Sequence, residues 1–245
     1  MPAGKLSQLE IERYARDGFV VVRDLLSESE VEKFVAYEAT QSRDWRGRLD
    51  NHKRDEHWRA VATHPNIVGI ARQILLDQPM IVQTMYLEKY PAEEARGTAL
   101  HQDTHYLPTE PNTLMACWLA MSDTDEENGG LCVLPGSHVK GLFSSHKATS
   151  SKDHQVWESE HLMRDRSGKE WKQAFYSFEI DGVVRSDMVF LAVPKGSGVF
   201  FTGMTIHGSF ANQSADRIRR AFATHFVAKG TWVLRADVQS LSQVQ

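Results

Sequence analysis

The chain has 245 residues, 41% hydrophobic and 24% charged, the balance of an ordinary globular protein with enough length for one large domain. A net charge of −4, a pI near 6.3 and the lack of a basic stripe argue against nucleic acid as the main partner. No apolar run reaches the roughly 18 residues a membrane span needs, and residues 1–10 lack an apolar signal core, so no membrane association is expected and the cytoplasm is the expected location. The two cysteines, Cys117 and Cys132, sit in apolar stretches and read as buried reduced thiols, not a disulfide framework.

Residues 6–17 carry apolar side chains near helical spacing and end at Gly18, which predicts a short helix. A strand follows at 19–23. Ser27 as N-cap with Glu30 three residues on predicts a helix from there to about residue 40. Residues 43–59 mix both charge signs and read as a solvated surface. Pro65 introduces a third helix over 66–76. Residues 80–88 alternate as a strand, with Ile81, Gln83, Met85 and Leu87 on one face.

From there the chain is rich in short strands: 99–105, 114–121, 131–134, 198–201, 206–211 and 219–228, with a turn at Asp125-Glu126-Glu127-Asn128-Gly129-Gly130. Residues 140–181 are polar and irregular, the character of a lid or binding loop as much as of a surface excursion. The expected organisation is a single domain over 1–245. Helices and a strand in about 1–78 flank a mainly β core of about 79–230, and 140–181 is inserted into it. Many short strands with Gly and Pro turns fit a double-stranded β-helix, a cupin-like jelly roll.

The chemistry is carried by His101-Gln102-Asp103 and the later His207-Gly208-Ser209. Residues i and i+2 of a strand share a face, so His101 and Asp103 can present an imidazole and a carboxylate to one ion, with His207 closing the set from a second strand. Two histidines and one carboxylate on one side of a metal leave the opposite positions open, which is the ligand set of non-heme Fe(II) oxygenases.

Taken in order, His101-Gln102-Asp103-Thr104-His105-Tyr106, Trp118, the stretch from Asn128-Gly129-Gly130 to Pro135-Gly136-Ser137-His138, His207-Gly208-Ser209 and Arg217, Arg219 and Arg220 resemble the phytanoyl-CoA dioxygenase family. This is a branch of the Fe(II)/2-oxoglutarate oxygenases, and the resemblance runs over roughly residues 6–228. It implies a jelly roll holding Fe(II) on His101, Asp103 and His207, which would be the catalytic centre. It also implies 2-oxoglutarate and O2 as cosubstrates and hydroxylation of a small organic substrate with release of succinate and CO2. A carboxylate at position 103, where chloride-inserting relatives have a small residue, points to hydroxylase-type chemistry.

The resemblance further implies a basic residue gripping the far carboxylate of 2-oxoglutarate. Arg219 in the run Arg219-Arg220-Ala221 is the first choice. One extra residue after His207 relative to the commonest family spacing keeps Arg217 in play. Ser209 shares a face with His207 and could donate to the same carboxylate; Trp118, Gln83 and Met85 would line the cosubstrate pocket. Substrate-side candidates by position are His105, Tyr106, Tyr86 and Phe210, with Trp157 from the insertion.

Lys89 and Lys140 could face an anionic substrate, although solvated lysine is the default. His225 reads as a hydrogen-bonded core histidine, His138 as structural, and His52, His57 and His64 as surface or supporting residues. The substrate favoured is a small polar metabolite or natural-product intermediate; the oligomeric state is not legible. Two alternatives stand beside this: a metal-dependent cupin-type enzyme that does not use 2-oxoglutarate and so has no need of Arg219, and a non-catalytic small-molecule binding protein on the same fold.

Overall fold

A computed structural model describes residues 4–91, 96–149, 154 and 156–244. Helix α1 (Gln8–Asp17) starts at Ser7, whose side chain and that of Glu10 form a capping box, and stops at Gly18 with φ +82°. Strand β1 (Phe19–Val22) and helix α2 (Glu28–Ala39) follow, the latter opened by the Ser27–Glu30 capping box. Residues 43–62 are not a bare solvated surface. They fold into α3 (Arg43–Arg46), a 3-10 turn at Asn51–Lys53 and α4 (Glu56–Ala62). The acids and serines of this stretch work as caps: Ser42 accepts from the Trp45 amide and Asp55 from the Trp58 amide. Trp58 is fully buried, and His52 is buried between the hydroxyls of Thr84 and Ser242, which removes it from the surface histidines. Helix α5 (Pro65–Leu75) completes the helical layer.

The strands come next: β2 (Pro79–Lys89), β3 (Thr98–His101), β4 (Thr109–Glu110), β5 (Met115–Ala120), β6 (Leu131–Val133) and β7 (Ser145–Lys147). After them lie β8 (Glu158–Arg164), β9 (Glu170–Tyr176), β10 (Phe178–Ile180) and β11 (Val189–Phe190). The chain ends with β12 (Gly198–Thr202), β13 (His207–Ser209), β14 (Arg219–Ala228), β15 (Trp232–Val233) and β16 (Ser242–Gln243). A six-stranded antiparallel sheet has the order β1-β12-β5-β14-β2-β16, and a four-stranded sheet the order β11-β6-β13-β3. Residues 140–181, expected to be irregular, contain the regular hairpin β8–β9 in register from Glu158↔Tyr176 to Arg164↔Glu170. Residues 150–153 and 155 of that segment lie outside the described residues.

The large sheet is apolar on both faces, which is why β5 reads as an unbroken hydrophobic run. Met115, Cys117 and Leu119 join Phe222, Phe226, Trp58 and the inner residues of α2 and α5 in one core between sheet and helices. Ala116, Trp118 and Ala120 face the other way. With Val199, Phe201, Ala221 and Ala223 they meet Leu131 and Val133 of the small sheet. The two sheets therefore pack face to face, with Trp118 and Met85 in the layer between them. Both thiols are buried and free, as expected.

Two loops lock this arrangement. In the first, Asn128 bonds both ways with Asp125 and reaches the Asp123 carbonyl, leaving Gly129 at φ +74° with its carbonyl pointing inward. A Cβ on Gly129 would stand 2.7 Å from the Phe210 carbonyl oxygen, so conformation and space both require glycine. In the second, the Ser137 hydroxyl donates to the Leu134 carbonyl and accepts from the Ile206 amide, which pins the strand carrying His207. His138 contacts the Ala15 carbonyl, a structural role at the end of α1.

Candidate active site

His101 closes β3, Gln102 continues extended, and Asp103 opens a 3-10 turn, Asp103–His105. The alternation that puts His101 and Asp103 on one side holds through Gln102, but the strand does not run on to His105 as expected. Gln102, turned the other way, bonds the carbonyls of Gly141 and Met204 and the Phe143 amide, anchoring the segment from behind. His207 of β13 pairs directly with His101 across the small sheet.

Asp103 Oδ1 lies 3.5 Å from His101 Nε2 and 3.6 Å from His207 Nε2, and the three buried groups can offer atoms that all fall within 4.8 Å of one another. Each histidine donates its Nδ1 hydrogen to a backbone carbonyl: His101 to Ala99 at 2.8 Å and His207 to Thr205 at 3.0 Å. A carbonyl can only accept, so this fixes the tautomer and leaves both Nε2 lone pairs facing Asp103. Burial pushes the His207 imidazole down to about 4 against the pull of Asp103, so it is neutral at physiological pH. Burial works the other way on Asp103, yet the facing His207, His225 and His101 hold its carboxyl well below the usual carboxylate range. Two imidazole Nε2 atoms and a carboxylate are the donors a divalent ion needs, and the set fits Fe(II).

His225, expected to be a hydrogen-bonded core histidine, has its Nε2 3.2 Å from Asp103 Oδ2. Asp103 Oδ2 is thus engaged while Oδ1 faces the two histidines. Gln83 sits opposite His225 in the β2–β14 register, buried, with Oε1 unpartnered. Met85 packs at the edge of the inter-sheet core.

The second half of the site is cationic. Arg219 begins β14 and is 4% exposed; its Cζ lies 5.9 Å over the Trp118 ring. Its hydrogen bonds are long and go only to carbonyls, Gly129 at 3.3 Å and Leu87 at 3.4 Å. Burial pushes its guanidinium down to about 10. Arg217 points elsewhere: it precedes the strand and forms a two-pronged pair with Asp125 and a bond to Glu127. Lys89, assigned by default to solvent, is 5% exposed. It shares the inward face of β2 with Gln83, Met85 and Leu87, and its Nζ donates to Ser209 Oγ (2.7 Å), the Phe210 carbonyl (2.5 Å) and the Gly129 carbonyl (3.1 Å). Burial and the nearby Arg219 hold it well below the ordinary lysine value. Among the described residues no carboxylate pairs with Lys89 or Arg219. Two such buried cations cost several kcal/mol each unless an anion joins them. The alternating face of β2, odd-numbered from 83 because a register shift against β14 turns Ile81 to the helical side, extends to 89 and could have flagged Lys89.

The substrate-side candidates separate. Tyr106 stands with its ring 5.3 Å from His101, stacks against Trp157 at 5.4 Å and holds the Phe178 amide. His105 has left the strand face and stacks on Phe178 at 4.9 Å, with Nε2 unpartnered. Tyr86, even-numbered on β2, packs its ring against Phe34 and Trp58 in the helical layer and also lines the cavity at the edges of β2 and β3. Phe210 corrects an expectation, turned away from His207 by strand alternation to lie beneath the Arg185 guanidinium at 4.2 Å. Lys140 is exposed. A cavity of about 630 Å³ opens between the edges of β2 and β3, with Lys89, Arg219, Ala99 and Tyr106 in its wall and Trp157 beside them.

The family model for phytanoyl-CoA dioxygenase (PhyH) matches residues 14–221. The peroxisomal phytanoyl-CoA dioxygenase of Bos taurus is 27% identical over 260 residues, covering 94% of this chain and 70% of that protein. Among solved structures, the non-heme alpha-ketoglutarate-dependent carbocyclase SnoK from nogalamycin biosynthesis superposes with a TM-score of 0.68 at 20% identity over 100% of this chain and 95% of its own. The epimerase SnoN, solved with Fe3+, alpha-ketoglutarate and nogalamycin RO, gives 0.68 at 20% identity over 93% and 85%. These likenesses show a shared fold. Among the described residues no helix is long and apolar enough to cross a membrane. With the family model spanning most of its length, the chain belongs to the phytanoyl-CoA dioxygenase family and is an enzyme of the iron- and 2-oxoglutarate-dependent oxygenase class.

Proposed function

We propose that the two facing sheets are the halves of a double-stranded β-helix in which His101, Asp103 and His207 hold Fe(II), and that the enzyme hydroxylates a C–H bond of a small organic substrate. The observation that carries this is the juxtaposition of the buried triad with two buried, acid-free cations, Lys89 and Arg219. When bound, iron and 2-oxoglutarate supply the oxidising power, with O2 consumed and succinate and CO2 released.

The chain's own groups do the rest. The backbone carbonyls of Ala99 and Thr205 orient the two imidazoles, and His225 engages the Asp103 oxygen that faces away from them. Arg219 and Ser209 grip the far carboxylate of the cosubstrate, the guanidinium through paired hydrogen bonds. Trp118 forms the floor beneath Arg219, and Met85 and Gln83 close the pocket along β2. Tyr106 and Trp157 form the aromatic wall against which a substrate would lie beside His101.

The cavity is lined by five cations, Arg43, Arg46, Lys89, Arg96 and Arg219, against the single acid Glu88, which already bonds Arg46 and Arg220. In a chain of net charge −4 this local excess favours a small substrate carrying an anionic group. Succinate release dependent on Fe(II), 2-oxoglutarate and O2, screened over matched carboxylates and amines of one carbon skeleton, tests the proposal. Stimulation confined to the carboxylates supports it. Stimulation by amines alone removes the substrate class, and a lack of any succinate across carboxylates, amines and neutral metabolites removes the activity.

A further inference from the structure

Ser209 Oγ accepts two hydrogen bonds, from Lys89 Nζ at 2.7 Å and from the Thr98 amide at 3.3 Å. A hydroxyl has two acceptor lone pairs and one hydrogen. With both lone pairs engaged, the Ser209 hydrogen must point away from Lys89 and Thr98, and among the described residues no acceptor receives it. Lys89 for its part spends all three of its donors within the protein, on Ser209, Gly129 and Phe210. It therefore offers no hydrogen bond of its own to a bound molecule. The Gly129 carbonyl, presented by the turn in which Asn128 bonds Asp125, accepts from both Lys89 and Arg219 and so sets the two cations side by side.

We infer that Lys89 is a positioning residue for the far carboxylate of 2-oxoglutarate: it makes the Ser209 hydroxyl an obligate donor and adds a second positive charge next to Arg219. This rests on the cosubstrate proposed above. The cradle built this way contains only donors: the Arg219 guanidinium and the Ser209 hydroxyl. A neutral terminus of the same length finds no partner in it and leaves buried donors and charge uncompensated. Lys89 acts through Ser209 and through its field, and its loss should degrade the choice between a carboxylate and a methyl group at that end of the molecule.

The test uses the Fe(II)-loaded protein under anaerobic conditions and follows the visible charge-transfer absorption of a bound 2-oxo acid. Two ligands are titrated: 2-oxoglutarate, and 2-oxopentanoate, which has a methyl group in place of the far carboxylate. In the Lys89→Met variant the affinity for 2-oxoglutarate should fall about 30-fold, and that for 2-oxopentanoate by less than about threefold. Adding Ser209→Ala to Lys89→Met should cost little more, because the hydroxyl has already lost its orientation; the single Ser209→Ala variant should cost about tenfold. A parallel loss for both ligands, which a merely structural lysine would give, overturns the inference, as does full additivity of the two substitutions. Lys89→Gln, which keeps one donor in the same space, replaces Lys89→Met should the latter not fold, and should lie between it and the wild type. A wild-type protein that binds iron but does not prefer 2-oxoglutarate over 2-oxopentanoate would remove the cosubstrate itself, an outcome separate from failure of the Lys89 variants.

Discussion

Replacing Arg219 with methionine keeps an apolar stem of similar length and removes the guanidinium that lies over Trp118. The side chain is buried and, among the described residues, its hydrogen bonds go only to two carbonyls at 3.3 and 3.4 Å, so the loss within the protein itself is small. Truncating one partner of a buried charged pair costs about 2–5 kcal/mol. Lys89 remains beside the carboxylate and retains one positive charge, which places the expected loss in the lower half of that range, about 2–3 kcal/mol. At about 1.4 kcal/mol per decade this is a weakening of 2-oxoglutarate by roughly 30- to 150-fold. Protein stability should move the other way, because an unpaired buried cation has been replaced by an apolar side chain of similar length. The apoprotein is expected to melt at the same temperature or higher, by about 2–4 °C for each kcal/mol relieved. Anaerobic titration of the iron-loaded protein gives the first quantity and a thermal melt the second. Retained 2-oxoglutarate affinity within about threefold would refute the reasoning, as would a lower melting temperature with unchanged binding, which would mark Arg219 as a structural residue.

Three further outcomes are expected. Asp103→Ala leaves two imidazoles for the metal, and iron affinity should fall by more than about 100-fold with loss of succinate release; undiminished turnover would remove Asp103 from the site. His225→Phe removes the partner of Asp103 Oδ2, and should lower iron affinity or turnover by about 10- to 100-fold, read by Fe(II) titration, with an unchanged titration counting against the role. The affinity for 2-oxoglutarate should fall as pH rises. Burial and Arg219 lower the pKa of Lys89, and Cys132, whose thiol burial pushes up to about 12, stays neutral and offers no compensating charge. The dianion favours protonated Lys89, so affinity is greatest below that depressed pKa and drops by up to about tenfold per pH unit above it. A wild-type affinity that does not fall with rising pH, or a fall that survives Lys89→Met, contradicts this.

The elements with regular patterns were legible in the sequence. Ser27 and Glu30 announce α2, Gly18 stops α1, and the apolar run at 115–120 marks a strand buried on both faces. The close approach of His101, Asp103 and His207 follows from alternation on β3 and pairing with β13. Residues 43–62 were not legible, because helices of four and seven residues are too short to show a 3.6-residue period; only the caps Ser42 and Asp55 betray them. The hairpin β8–β9 was hidden for a different reason: it is largely exposed along its length, so it lacks the clean apolar alternation of a half-buried strand.

Arg217 and Arg219 could not be separated by spacing. The strand begins at Arg219, and the acids that claim Arg217, Asp125 and Glu127, are remote in sequence. Lys89 was lost to the general rule that lysines are solvated, although its parity on β2 places it inward. Phe210 departs from its expected place by that same parity, turned away from the face that carries Ser209, whereas Tyr86 packs toward the helical layer and still lines the cavity.

The most direct test of the account is anaerobic addition of Fe(II) and then 2-oxoglutarate to the purified apoprotein, watched by visible absorption, with His207→Ala and Arg219→Met in parallel. The account predicts a charge-transfer band in the wild type that needs both components, is absent from His207→Ala, and requires far more 2-oxoglutarate in Arg219→Met. Iron binding without a band would contradict the use of 2-oxoglutarate and point to cupin-type metal chemistry; failure to bind iron would contradict the metal centre itself.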